Sequence, residues 1–169
     1  MLEVPMTVSL LAMLLGAVPI KVGEKAPDFT LPDTRGEKIT LSKALEKGPV
    51  ILYFFPKAFT PGCTKQTEAY RDRYADAQKK GAQVFGISKD DTETLKRFKA
   101  DAKAPFEMLS DTEGTVAKQY VGLMPVVGLA NRANIVVAPD GVVKEVVTGK
   151  DAIDPSSAIS ACPSHKAGS

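Results

Sequence analysis

The run Val50 to Phe55 (V-I-L-Y-F-F) is the stretch that most constrains how this chain can fold. Its apolar, β-branched and aromatic residues lack the alternation of a half-exposed strand, so they predict a strand buried on both faces. Pro56 closes the run, and Pro61-Gly62 mark a tight turn. From Thr64 the pattern becomes helical, with Tyr70, Tyr74 and Ala77 on one face and Gly81 as a stop. Cys63 therefore falls at the first turn of a helix that follows a buried strand. Unpaired N–H groups and the positive end of the helix dipole at such a place favour a thiolate. That is the usual origin of a reactive cysteine. The alternative is a small buried hydrophobe. Polar Thr60, Thr64, Lys65 and Gln66, with two prolines and a glycine around Cys63, argue for the nucleophile.

Around this centre the chain reads as alternating strands and helices. Phe29–Leu31 and Lys38–Leu41 are short strands of an opening hairpin, separated by the turn-rich Asp33-Thr34-Arg35-Gly36. Ser42 is placed to cap a brief helix through Leu45, before Gly48-Pro49. A strand follows at Ala82–Ser88. Asp90 with Glu93 then resembles a capping box for a helix carrying Leu95 and Phe98. Phe106–Leu109 is extended, and Thr115–Tyr120 gives a turn or two of helix. Asn134–Ala138 and Val142–Val147 form a hairpin about Pro139-Asp140-Gly141. Asp154-Pro155 reads as an N-cap with Pro at N1, opening a last helix through Ala161. No internal repeat or interdomain linker is present, and the pattern predicts one α/β domain.

Composition excludes several classes. At 44% hydrophobic and 25% charged, a chain of 169 residues can bury a substantial core. A net charge of +2 without a Lys/Arg run gives no case for a nucleic-acid partner. One histidine, His165, and two distant cysteines cannot supply a usual zinc constellation, so no metal is expected. Residues 1–20 stand apart. Val4 to Ile20 carries no charge, and S-L-L-A-M-L-L-G-A-V has the length of a signal-peptide apolar core. The segment before the run has Glu3 and no Lys or Arg. The reading is an export signal or membrane tether, hence a periplasmic or exported protein, against a packed N-terminal extension in a cytoplasmic one.

The string F-F-P-K-A-F-T-P-G-C-T carries Pro56, Thr60 and Cys63 at P-x-x-x-T-x-x-C spacing. It resembles the signature of the peroxiredoxins, in particular their bacterioferritin-comigratory (Q-type) branch. The resemblance extends through K-V-G-E-K-A-P-D-F-T-L-P-D (Lys21–Asp33), Gly86-Ile87-Ser88 and N-R-A-N-I-V-V-A-P-D-G-V-V (Asn131–Val143). It implies a thioredoxin-like α/β fold with an N-terminal β-hairpin extension over residues 21–163, followed by a flexible tail, 164–169. It also implies a thiol-dependent peroxidase that needs no flavin, haem or metal. Cys63 is then the nucleophile, and Thr60 places a hydroxyl beside sulfur and peroxide. Pro56 shields the site, and Arg132 polarises the peroxide and stabilises the thiolate. The N–H groups of Gly62 and Cys63 are candidate substrate donors. The implied partners are hydrogen peroxide or an organic hydroperoxide, and thioredoxin or another thiol. The chain would act as a monomer or homodimer.

The sequence departs from that branch at the resolving cysteine. Glu68 stands five residues after Cys63, where many members carry it, and Asp91–Ala102 holds none. Cys162 is the one remaining candidate. It is either a resolving cysteine, within or between chains, or a passenger beside a one-cysteine mechanism that uses an external thiol. A disulfide oxidoreductase would show C-x-x-C, which Cys63-Thr64-Lys65-Gln66 lacks. A peroxide sensor with the same sulfenic acid chemistry is the other alternative.

Overall fold

The computed structural model describes residues 19–165. The expectations for residues 1–18 and 166–169 lie outside the described residues. The elements are β1 (Thr30–Pro32), β2 (Lys38–Thr40), α1 (Leu41–Leu45), β3 (Val50–Phe54), α2 (Pro61–Asp72), α3 (Tyr74–Lys79) and β4 (Gln83–Ser88). They continue with α4 (Thr92–Ala102), β5 (Glu107–Ser110), α5 (Thr115–Tyr120), β6 (Ala133–Val137), β7 (Val143–Thr148), a 3-10 turn (Gly149–Ile153) and α6 (Ser156–Ala161). β1 and β2 pair as a separate antiparallel hairpin, and the main sheet runs β5-β4-β3-β6-β7. Within it β3–β4 and β4–β5 are parallel, while β3–β6 and β6–β7 are antiparallel. This is a thioredoxin-like α/β fold preceded by a β-hairpin.

Strand β3 is central because both its faces are covered. Val50, Leu52 and Phe54 point into one core with Phe29, Leu41, Tyr120 and Ile135. Ile51, Tyr53 and Phe55 point into the other, with Tyr70, Phe98, Met108 and Val136. Every residue from Val50 to Phe55 is fully buried. The period-2 geometry of a strand thus turns an unbroken apolar run into the partition between two cores.

Several local expectations shift. Helix α2 begins at Pro61, not Thr64, because extended Thr60 (φ −84°, ψ 152°) is its N-cap and Pro occupies the first turn, where no N–H is needed. The helical face carrying Tyr70 and Ala77 is split at Arg73 (φ −105°, ψ 7°) into α2 and α3, and Gly81 (φ +72°) ends the second. Asp91, not Asp90, caps α4, its carboxylate accepting from the Thr94 N–H at 2.7 Å. Ser42 lies inside α1, and its N–H donates to Asp28 at 2.9 Å. At α6 the N-cap is Pro155 itself, and the Asp154 carboxylate accepts from the Ser156 N–H at 2.9 Å. At the chain's far end His165 is not free, because its N–H donates to the Lys80 carbonyl at 2.8 Å. Ile20 is likewise docked, buried with its N–H on the Tyr120 carbonyl at 2.8 Å. Among the described residues no helix is long and apolar enough to cross a membrane.

Candidate active site

The site is built where β3 ends and α2 begins. The segment from Pro56 to Thr60 bridges them and is held from the side by Asp90. One Asp90 carboxylate oxygen accepts from the Ala58 N–H at 2.8 Å and from the Ser88 hydroxyl at 2.7 Å. Phe59 takes a left-handed backbone (φ +66°), unusual for a bulky residue. It is half exposed and packs edge-on against Phe98, centroids 5.2 Å apart. The turn is thus clamped at Ala58 and pinned at Phe59 before the helix starts.

Cys63 is the third residue of α2. The first helical N–H to reach a carbonyl belongs to Thr64, which donates to Thr60 at 2.9 Å. Pro61 has no N–H, so those of Gly62 and Cys63 are left at the open end of the helix. The thiol is fully buried within the second core, beside Tyr53 and Phe55. Buried though it is, the sulfur is reached by a cation. Arg132 Nη2 lies 3.4 Å from Cys63 Sγ, and Nη1 donates to Gln66 Oε1 at 2.7 Å. The Arg132 carbonyl accepts from the Gly149 N–H at 3.0 Å, which fixes its backbone at the start of β6.

The other expected residues fall nearby in different ways. Pro56 and Arg132 both line a cleft of about 400 Å³, together with Met124, Asn131, Gly149 and Lys150. The Thr60 hydroxyl donates to the Lys57 carbonyl at 2.7 Å, which leaves its oxygen as an acceptor. Gly62 is pressed against Arg132: a Cβ there would sit 2.8 Å from Nη2. Cys162 is not brought to Cys63 as a disulfide, and both cysteines are free. It is buried in the second core, and burial pushes its thiol up to about 11. Among the described residues no group of three or more His, Cys, Asp or Glu is placed to hold a metal ion.

Sequence reasoning did not find Gln66, Asn134 or Asp90 as parts of the site. Gln66 Nε2 donates to Asn134 Oδ1 at 3.1 Å, and Asn134 Nδ2 donates to the Ala152 carbonyl at 2.9 Å. Both amides are fully buried. A polar residue near the start of the otherwise apolar β6 was the one available signal for Asn134.

Against this geometry stand the relatives. The sequence profile of the AhpC/TSA family matches residues 22–146. The chain belongs to the AhpC/TSA family. It is closely related to the peroxiredoxin Q branch: peroxiredoxin Q of Oryza sativa subsp. japonica is 42% identical over 128 residues, 75% of this chain and 58% of that protein. Peroxiredoxin Q of Sedum lineare is 43% identical over 125 residues, 73% of this chain and 67% of its own length. The chain thus spans little more than half to two-thirds of these relatives. Among solved structures, the Mycobacterium tuberculosis peroxidoxin BcpB is 34% identical, with a TM-score of 0.78 over 84% of this chain and 96% of that one. Xanthomonas campestris peroxiredoxin Q, at 23% identity and a TM-score of 0.68 over 79% of this chain and 90% of that one, shares the fold.

Proposed function

We propose that this chain is a thiol-dependent peroxidase acting through Cys63 on hydrogen peroxide or an organic hydroperoxide. The observation that carries the reading is the Arg132 guanidinium 3.4 Å from a cysteine sulfur at a helix N-terminus, in a chain of the AhpC/TSA family. A permanent cation and unpaired N–H groups favour the thiolate over the thiol and attract the oxygens of a peroxide. The Thr60 oxygen, its own proton engaged by the Lys57 carbonyl, accepts the peroxide O–H and turns the O–O bond toward sulfur.

The thiolate of Cys63 attacks one peroxide oxygen and the O–O bond breaks. The departing oxygen leaves as water or an alcohol after taking up a proton, with Arg132 and the Gly62 and Cys63 N–H groups stabilising its developing charge. Cys63 is left as a sulfenic acid. A thiol then condenses with it, releasing water and forming a disulfide, which a second thiol reopens. Thioredoxin or another dithiol is the reductant this reading requires. Steady-state peroxide consumption, measured with hydrogen peroxide and an organic hydroperoxide and with several thiol reductants, is the test. Cys63→Ser should abolish turnover without loss of fold, and substantial residual turnover in that variant would refute the reading.

A further inference from the structure

Arg132 is held at the sulfur by a chain of neutral amides whose polarity is set far from the site. Its Nη1 donates to Gln66 Oε1 at 2.7 Å, and Gln66 Nε2 donates to Asn134 Oδ1 at 3.1 Å. Asn134 Nδ2 ends the chain on two backbone carbonyls, Ala152 at 2.9 Å and Asp154 at 3.3 Å. Backbone carbonyls only accept, so Asn134 must turn its NH₂ toward them and its oxygen toward Gln66. Gln66 must then turn its NH₂ toward Asn134 and its oxygen toward Arg132. Each amide has one orientation that satisfies its neighbours. The far anchor is the junction between the 3-10 turn and α6, which carries no reacting group.

We propose that Gln66 and Asn134 are positioning residues that aim the Arg132 guanidinium at Cys63 while leaving its charge uncompensated. Both side chains are fully buried, so the chain of bonds runs where water does not compete. Among the described residues no carboxylate lies within ion-pair distance of Arg132. A carboxylate in place of Gln66 would hold the arginine equally well but cancel part of its field at the sulfur. A neutral acceptor does the first without the second. Strand register supports the arrangement: Asn134 pairs with Tyr53 across β3 and β6, and so shares the sheet face that receives α2. Gln66 follows Cys63 by three positions on α2, so the two lie on one face of that helix.

This inference rests on the reading of Cys63 as the reacting group, and its test does not depend on peroxide. In the full chain with Cys162→Ser, the rate of Cys63 alkylation by iodoacetamide is followed across pH. Gln66→Met keeps the length but removes both amide bonds, and Asn134→Ala removes the anchor. Each should lower the alkylation rate at pH 7, by about tenfold for Gln66→Met and about threefold for Asn134→Ala, and move the pH profile upward. A purely structural role would lower the melting temperature and leave the profile where it is, which overturns the proposal. If neither variant folds, the ¹⁵N side-chain signals of Gln66 and Asn134 in the otherwise unsubstituted protein decide. Alkylation of Cys63 should shift both, and unmoved signals refute the relay. A normal relay response without peroxide turnover would sink the peroxidase reading alone.

Discussion

Gly62→Ala should slow the reaction while leaving the fold as stable or more so. Gly62 lies in the first turn of α2 and lacks a left-handed φ, so alanine fits its backbone without strain. Helix propensity alone adds up to about 1 kcal/mol for that exchange. The new methyl, however, would lie 2.8 Å from Arg132 Nη2 and 3.5 Å from Cζ. Carbon–nitrogen contact at that distance is repulsive, and the helix backbone cannot retreat. The guanidinium must move, by about 1 Å to reach ordinary contact near 3.8 Å. Nη2 now stands 3.4 Å from the sulfur. Moving a unit charge pair from there to about 4.4 Å loses about 1 kcal/mol at an effective dielectric near 20. A loss of that size is worth about a fivefold fall in the Cys63 alkylation rate at fixed pH.

The assay is the pH dependence of Cys63 alkylation with a thermal melt on the same sample. The expected result is an alkylation rate lower by about fivefold at neutral pH, with an unchanged or raised melting temperature. The same substitution in an Arg132→Ala background should do almost nothing, because the group it displaces is gone. An unchanged rate in the single variant, or an equal effect in both backgrounds, would refute the claim that Arg132 activates the sulfur.

Asp90→Ala removes the acceptor shared by Ala58 and Ser88, and should cost about 1–3 kcal/mol of stability and lower turnover several-fold as the Pro56–Thr60 turn loosens. Chemical denaturation and steady-state rates check both effects. Tyr70 Oη is the one buried side-chain polar atom without a hydrogen-bond partner among the described residues, so Tyr70→Phe should be neutral or stabilising by about 1 kcal/mol, read from denaturant midpoints. Cys162 is expected to weaken the fold at alkaline pH. Burial raises its folded value to about 11 from an ordinary 9.0, so the folded state keeps a proton that the unfolded chain loses. Its contribution is fully present below about 9 and disappears as pH rises through about 11, on the order of 2 kcal/mol. Between those values the melting temperature of Cys162→Ala should fall less steeply than that of the parent chain, and parallel curves would exclude the effect.

What the sequence disclosed follows from how local each signal is. An unbroken apolar run, a Pro-Gly turn and a helical repeat are read within a few residues, and they located β3, α2 and Cys63 together. The hairpin and the order of strands and helices are likewise local patterns. Arg132 is different, since nothing in its own surroundings marks it and only resemblance to the family singled it out. Gln66 and Asn134 were harder still. Their roles are created by the β3–β6 register and the docking of α2, which no window of sequence contains. Asp90 was misread as a cap for the same reason. Asp91 beside it satisfies the helix, which frees Asp90 to bind the Ala58 N–H from across the fold.

Under the proposed chemistry, the placement of Cys162 favours an external thiol over this cysteine as the first partner of a Cys63 sulfenic acid. Its side chain is only 3% exposed. The segment holding it is tied at three points: the Lys80 ammonium donates to the Ser160 and Cys162 carbonyls at 2.8 and 3.1 Å, and the His165 N–H donates to the Lys80 carbonyl at 2.8 Å. A thiol raised to about 11 is almost wholly protonated at neutral pH, which slows any attack it could make. Intramolecular resolution would require these three bonds to break, α6 to leave the core, and α2 to open far enough for sulfur–sulfur contact. α6 also follows directly on Asp154, whose carbonyl, with that of Ala152, anchors the amide chain behind Arg132. Peeling α6 away would therefore disturb the arginine as well as release the thiol. An external thiol would still need the start of α2 to open over the buried Cys63 sulfur, but it would leave α6, its three ties and the amide chain behind Arg132 in place.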